Sequence, residues 1–114
     1  MVQGDMSLIP TLSLPGLKKP VSRLIIGCDN KDTWEEGAPV WDAWLDAGGN
    51  TFDTAYVYGG GRHEKALGDW IKARGVSNAI TVIVKGAHTP HCTPEGIATQ
   101  LEQSLERLQI EQAP

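Results

Sequence analysis

The chain has 114 residues, 40% hydrophobic and 21% charged, the balance of an ordinary globular protein and too apolar for a disordered tail. Its net charge of −4, with Lys and Arg scattered along the sequence, excludes nucleic acid as an expected partner, because phosphate binding needs a basic surface. No stretch approaches the ~18 apolar residues of a membrane span. Met1–Asp5 lacks the basic start of a secretory leader, and two cysteines, Cys28 and Cys92, are too few to staple a fold, so a cytoplasmic protein with reduced thiols is expected.

Residues 1–20 carry prolines at 10, 15 and 20 and read as an irregular leading segment with room for a short hairpin. Ser22–Cys28 is a short apolar run with β-branched residues, the pattern of a buried strand. Asp29–Gly37 is polar and glycine-bearing, which predicts a loop. Val40, Trp41, Trp44, Leu45 and Ala47 then fall at helical spacing, and Gly48-Gly49 stops that helix. Asn50–Asp53 is a very short second strand, and Gly59-Gly60-Gly61 a flexible turn. Glu64–Arg74 is a second helix, with Leu67, Trp70 and Ile71 on one face and Gly75 past its end. Ala79–Lys85 is apolar on both faces, as a strand in a parallel sheet must be. Thr93-Pro94-Glu95 is a helix start, and Ile97, Leu101, Leu105 and Leu108 give that third helix an apolar stripe. Residues 111–114 read as the loop into a fourth strand.

Alternating strands and helices imply parallel pairing with right-handed crossovers. A doubly wound sheet and a (β/α)₈ barrel both fit this order.

In either fold the C-terminal ends of the strands form the functional rim. Asp53 ends the second strand, Tyr58 follows five residues later, and Lys85 ends the third. Taken singly, an Asp after a strand is a turn residue, a Tyr is packing, and a strand-end Lys is a solvated charge. Together they describe a charge chain. A phenol, with an ordinary pKa of ~10, is a poor acid at neutral pH. A neighbouring ammonium favours the phenolate, and a carboxylate behind the ammonium holds it charged and oriented. Tyr58 is then the candidate general acid for a carbonyl oxygen, Lys85 the group that tunes it, and Asp53 the group that holds Lys85.

Other features carry less. The glycines from Gly59 to Gly68 do not keep the spacing or strand-one context of a dinucleotide fingerprint. His88, His91 and Cys92 lie close together but lack a second ligand cluster, so no metal site is expected, and a loop shaping a substrate pocket is the preferred reading. Packing is the default for the tryptophans. Trp34, in the loop after the first strand, is the one placed to line a pocket.

Phe52-Asp53-Thr54-Ala55, then Tyr58-Gly59, Glu64 and Leu67-Gly68, resembles the aldo-keto reductase signature. Val82-Ile83-Val84-Lys85-Gly86 and Ser104-Leu105-Glu106-Arg107-Leu108 continue that pattern in order, and Val21–Gly27 resembles the family's first strand. The resemblance covers residues 21–114. It implies a (β/α)₈ barrel of which residues 1–114 are the N-terminal portion, about three βα units. It implies NADPH-dependent reduction of an aldehyde or ketone, with Asp53, Tyr58 and Lys85 as three members of a catalytic tetrad. Gly27, Cys28 and Asp53 would border the cofactor. The tetrad histidine belongs at the end of a fourth strand, beyond Pro114, and His63, His88 and His91 do not occupy that place. Cys28-Asp29-Asn30 departs from the small residue common after the strand-one glycine. Since a (β/α)₈ barrel needs ~250 residues, the 114 residues alone are expected to be inactive. The alternative is a non-enzymatic barrel remnant or an accessory module that pairs with a partner chain.

Overall fold

The computed structural model describes residues 8–114, and the first seven residues of the predicted leading segment lie outside the described residues. Thr11–Leu12 (β1) pairs antiparallel with Val21–Ser22 (β2), the hairpin for which the sequence leaves room. The run predicted as one strand over 22–28 is therefore divided. Ser22 Oγ donates to the Leu24 carbonyl at 2.7 Å and turns the chain. Only Ile26–Gly27 (β3) continues into the main sheet.

That sheet is parallel, in the order β3, Thr51–Asp53 (β4), Thr81–Ile83 (β5). Gly27 is level with Asp53, and Asp53 with Ile83. Backbone bonds prolong the pairing past the strand ends: Cys28 N–H donates to Asp53 O at 2.8 Å, and Tyr56 N–H to Lys85 O at 2.8 Å. The predicted strand to Lys85 is thus shorter as regular structure, yet Lys85 remains tied to the β4 side.

Trp34–Asp46 (α1) begins earlier than predicted and absorbs half of the expected loop. Thr33 Oγ1 accepts from Glu36 N–H at 3.2 Å, and Glu35 and Glu36 favour the positive end of the helix. Gly37 reads as a breaker but is a packing choice, because a Cβ there would overlap the Trp41 ring. Arg62–Arg74 (α2) ends on Gly75 in the left-handed region (φ 64°), and Pro94–Leu108 (α3) starts on the predicted Thr93 cap.

The helices lie side by side, α1 on α2 and α2 on α3. Between them and the sheet sits a cluster containing Trp41, Phe52, Leu67, Trp70, Ile71 and Leu108, all buried. Trp70 is its hub: its ring centroid lies 5.7 Å from that of Trp41, edge to face, and 5.4 Å from that of Phe52. Among the described residues no helix is long and apolar enough to cross a membrane.

Candidate active site

The register of the sheet brings the C-terminal ends of β4 and β5 side by side, and with them Asp53 and Lys85. Lys85 Nζ donates to Asp53 Oδ2 at 2.9 Å and to Tyr58 Oη at 3.2 Å. It also lies 5.3 Å from the Tyr58 ring centroid. The three side chains picked out from the sequence therefore form one connected group, with the ammonium in the middle. The hydrogen bond to Asp53, then that to Tyr58, pushes the Lys85 pKa above its usual value, so the amine stays charged at neutral pH. The Lys85 side chain is 46% exposed, which leaves the group open at the rim.

Tyr58 reaches this place through a tight turn. Tyr58 N–H donates to Ala55 O at 3.2 Å, and Tyr58–Gly61 forms a 3₁₀ turn that feeds α2. Gly59, Gly60 and Gly61 have φ values of 59°, 64° and 99°, a left-handed run that few side chains tolerate. A Cβ on Gly59 would also stand 2.7 Å from His63 Nε2. His63 in turn contacts Asp32 Oδ1 at 3.0 Å. That contact and the Arg62 guanidinium hold the Asp32 carboxyl below its ordinary range.

Gly27 and Cys28 follow different courses at the neighbouring strand end. Among the described residues other than Gly27 and its two chain neighbours, no heavy atom lies within 4 Å of the position a Cβ on Gly27 would take. The Cys28 thiol turns away into the core, where it is 1% exposed. Burial foremost, then the charges of Asp53 and Asp29, pushes its pKa up to about 12. Its backbone N–H bonds the Asp53 carbonyl.

Trp34 stands in a helix and not in the loop in which the sequence placed it. It opens α1, packs against the core cluster, and carries the Arg74 guanidinium 5.5 Å over its ring. Among the described residues no group of three or more His, Cys, Asp or Glu side chains is placed to hold a metal. The Cys92 thiol donates instead to Ala87 O at 2.9 Å. The loop carrying His88 and His91 borders an open groove of about 540 Å³, closed on its other sides by Tyr56, Val57 and α3.

A second polar group lies beneath the turn. Arg107 Nη1 donates to Glu64 Oε1 at 2.9 Å and to the Tyr56 carbonyl at 3.0 Å. Glu64 is fully buried. Glu64 and Arg107 stand in the motifs quoted above, but no spacing in one sequence shows that an arginine on the third helix reaches back to the second.

The sequence model of the aldo/keto reductase family matches residues 29–113. A norsolorinic acid reductase from Emericella nidulans is 34% identical over 73 residues, which are 63% of this chain and 19% of that protein. Among solved structures, a glycerol dehydrogenase from Gluconobacter oxydans superposes with a TM-score of 0.76 at 29% identity, over 90% of this chain and 37% of its own. The holo form of an aldo-keto reductase from Bacillus halodurans gives 0.73 at 25% identity, over 92% and 38%. These structures are (β/α)₈ barrels, and the sheet and helices described above have the fold of part of one.

Proposed function

We propose, from the premise that this chain belongs to the aldo/keto reductase family, that it supplies the proton-donating part of an NADPH-dependent aldehyde or ketone reductase. The chain spans well under half the length of the solved relatives above, so the activity is assigned to the barrel it helps to build. The observation that carries this reading is the unbroken contact from Asp53 through Lys85 to Tyr58.

A bound reduced nicotinamide supplies the hydride for the carbonyl carbon. The residues of this chain handle the charge that then develops on the oxygen. Tyr58 Oη donates its proton to that oxygen and is left as a phenolate. The Lys85 ammonium, 3.2 Å away, stabilises the negative charge where it appears. Asp53 holds the ammonium charged and pointed at the phenol. Gly27, Cys28 and Asp53, at the ends of neighbouring strands, are the residues of this chain that would border the cofactor. The free thiols of Cys28 and Cys92 suit the reducing cytoplasm.

The test uses the protein expressed from its complete reading frame, assayed for NADPH oxidation with a panel of aldehydes and ketones. Tyr58→Phe is expected to lower kcat by about 10²- to 10⁴-fold while leaving NADPH binding intact, the usual worth of a positioned general acid. Near wild-type turnover in that variant, or no carbonyl reduction by the unaltered protein, would refute the assignment.

A further inference from the structure

We infer that Glu64 and Arg107 are positioning residues, which set the distance between Tyr58 and Lys85 by holding the Tyr56 peptide; the inference rests on the reductase reading above. Tyr56 is the junction between the two sides of the site. Its N–H donates to the Lys85 carbonyl at 2.8 Å, and two residues later the chain delivers Tyr58. Its carbonyl accepts from Arg107 Nη1 at 3.0 Å. Its ring lies under the Arg107 guanidinium, 4.3 Å from ring centroid to Cζ. Its phenol bonds Gln103 Oε1. Gln103 and Arg107 are one turn apart on α3, so that helix grips Tyr56 at three points.

Glu64 aims the grip. The Arg107 nitrogen that meets the Tyr56 carbonyl also meets Glu64 Oε1 at 2.9 Å, and Glu64 is 0% exposed. A buried ion pair is weak evidence for stability, since an apolar pair of the same volume often does as well. What such a pair supplies here is direction: the carboxylate holds Nη1 against the Tyr56 carbonyl while the planar guanidinium lies over the Tyr56 ring. Gly61 makes the room, because a Cβ there would stand 2.7 Å from Arg107 Cζ. The turn that presents Tyr58 and the helix that holds it are therefore fitted to each other. Displacing a reacting group by about 1 Å costs on the order of 100-fold in rate, so loosening this grip registers in turnover.

The experiment compares Glu64→Gln and Arg107→Lys with the unaltered protein and Tyr58→Phe, all from the complete reading frame and all normalised to folded protein. Arg107→Lys keeps a cation against Glu64 and decides the question should Glu64→Gln not fold. In both variants kcat is expected to fall by about 10- to 100-fold. KM and the Kd for NADPH should move by less than about threefold, since uniform binding is untouched. The isotope effect on kcat with deuterated NADPH should rise, because the chemical step becomes slower than product release. A pair that merely holds the fold would lower Tm and leave kcat and the isotope effect at their original values, and that result overturns the inference. Undiminished turnover in Tyr58→Phe would instead fell the reductase reading itself, and this inference with it.

Discussion

Cys28 stands directly beside the acid-amine-phenol chain and takes a different part. Its backbone N–H bonds Asp53, while its thiol is turned into the core and held neutral to about pH 12, by burial first and then by Asp53 and Asp29. An unfolded chain ionises the same thiol near its ordinary pKa of ~8.5. Above that pH the unfolded state has released a proton that the folded state keeps, so stability falls as pH rises from about 9 to about 12. Cys28→Ala should remove this part of the alkaline loss, read as Tm against pH. A thiol reagent at pH 8 should modify one cysteine quickly in the native protein, the exposed Cys92, and two after denaturation. Equal native reaction at both would show that the Cys28 thiol is accessible after all. At this scale the site was legible before the fold: three residue types at two strand ends imply a contact, and Lys85 makes both halves of it. The direction of the Cys28 side chain was not legible. A strand end fixes where a residue stands, and packing decides which way it faces.

Between elements, the seams are set by a few polar and close contacts. Asp42 on α1 accepts from Trp70 Nε1 at 2.9 Å and, through both oxygens, from Arg74 on α2 at 2.9 and 2.8 Å. The Arg74 guanidinium foremost, then the Trp70 N–H, brings the Asp42 pKa down to about 2. A carboxylate depressed in this way adds stability that is complete above its unfolded pKa near 4 and is lost as pH falls toward 2. The Tm difference between the unaltered protein and Asp42→Asn should therefore shrink through that window, and a difference constant from pH 6 to pH 2 would contradict the role. Gly68 sets the other seam. A Cβ on it would overlap the Arg107 carbonyl, so α2 and α3 are as close there as backbones allow. Gly68→Ala should cost about 1–3 kcal/mol in urea unfolding, the range of an overpacked core. The caps of α2 and α3 were readable because Gly75 and Thr93 act locally. The start of α1 was hidden because Gly37 and Pro39 look like breakers, while the rings that require a glycine come from four residues further along. The break between β2 and β3 was hidden for a similar reason, since its cause is a side-chain bond from Ser22 to Leu24 and not a turn dipeptide.

For the molecule as a whole, the alternation of elements was enough to predict a parallel sheet, and the sheet in turn accounts for what the 114 residues should do by themselves. Among the described residues β3 and β5 each have one neighbour, so each offers an open edge of backbone donors and acceptors. Apolar side chains stand beside both. Leu24 and Ile25 are 61% and 49% exposed next to β3. Ile97 and Leu101, 54% and 41% exposed, border a groove with Val84 and Lys85 at the end of β5. An apolar stripe flanking an unpaired edge favours association over solvation. The 114-residue chain produced alone should therefore sediment above its 12.3 kDa mass in a concentration-dependent way, and should oxidise no NADPH with a carbonyl substrate. Ile97→Lys with Leu101→Lys should shift it toward the monomer without disturbing the core, because neither side chain belongs to the buried cluster. A monomer at every concentration in the ultracentrifuge would mean that short strands and a net charge of −4 suffice to keep the edges apart, and the argument for association through these edges would then fall.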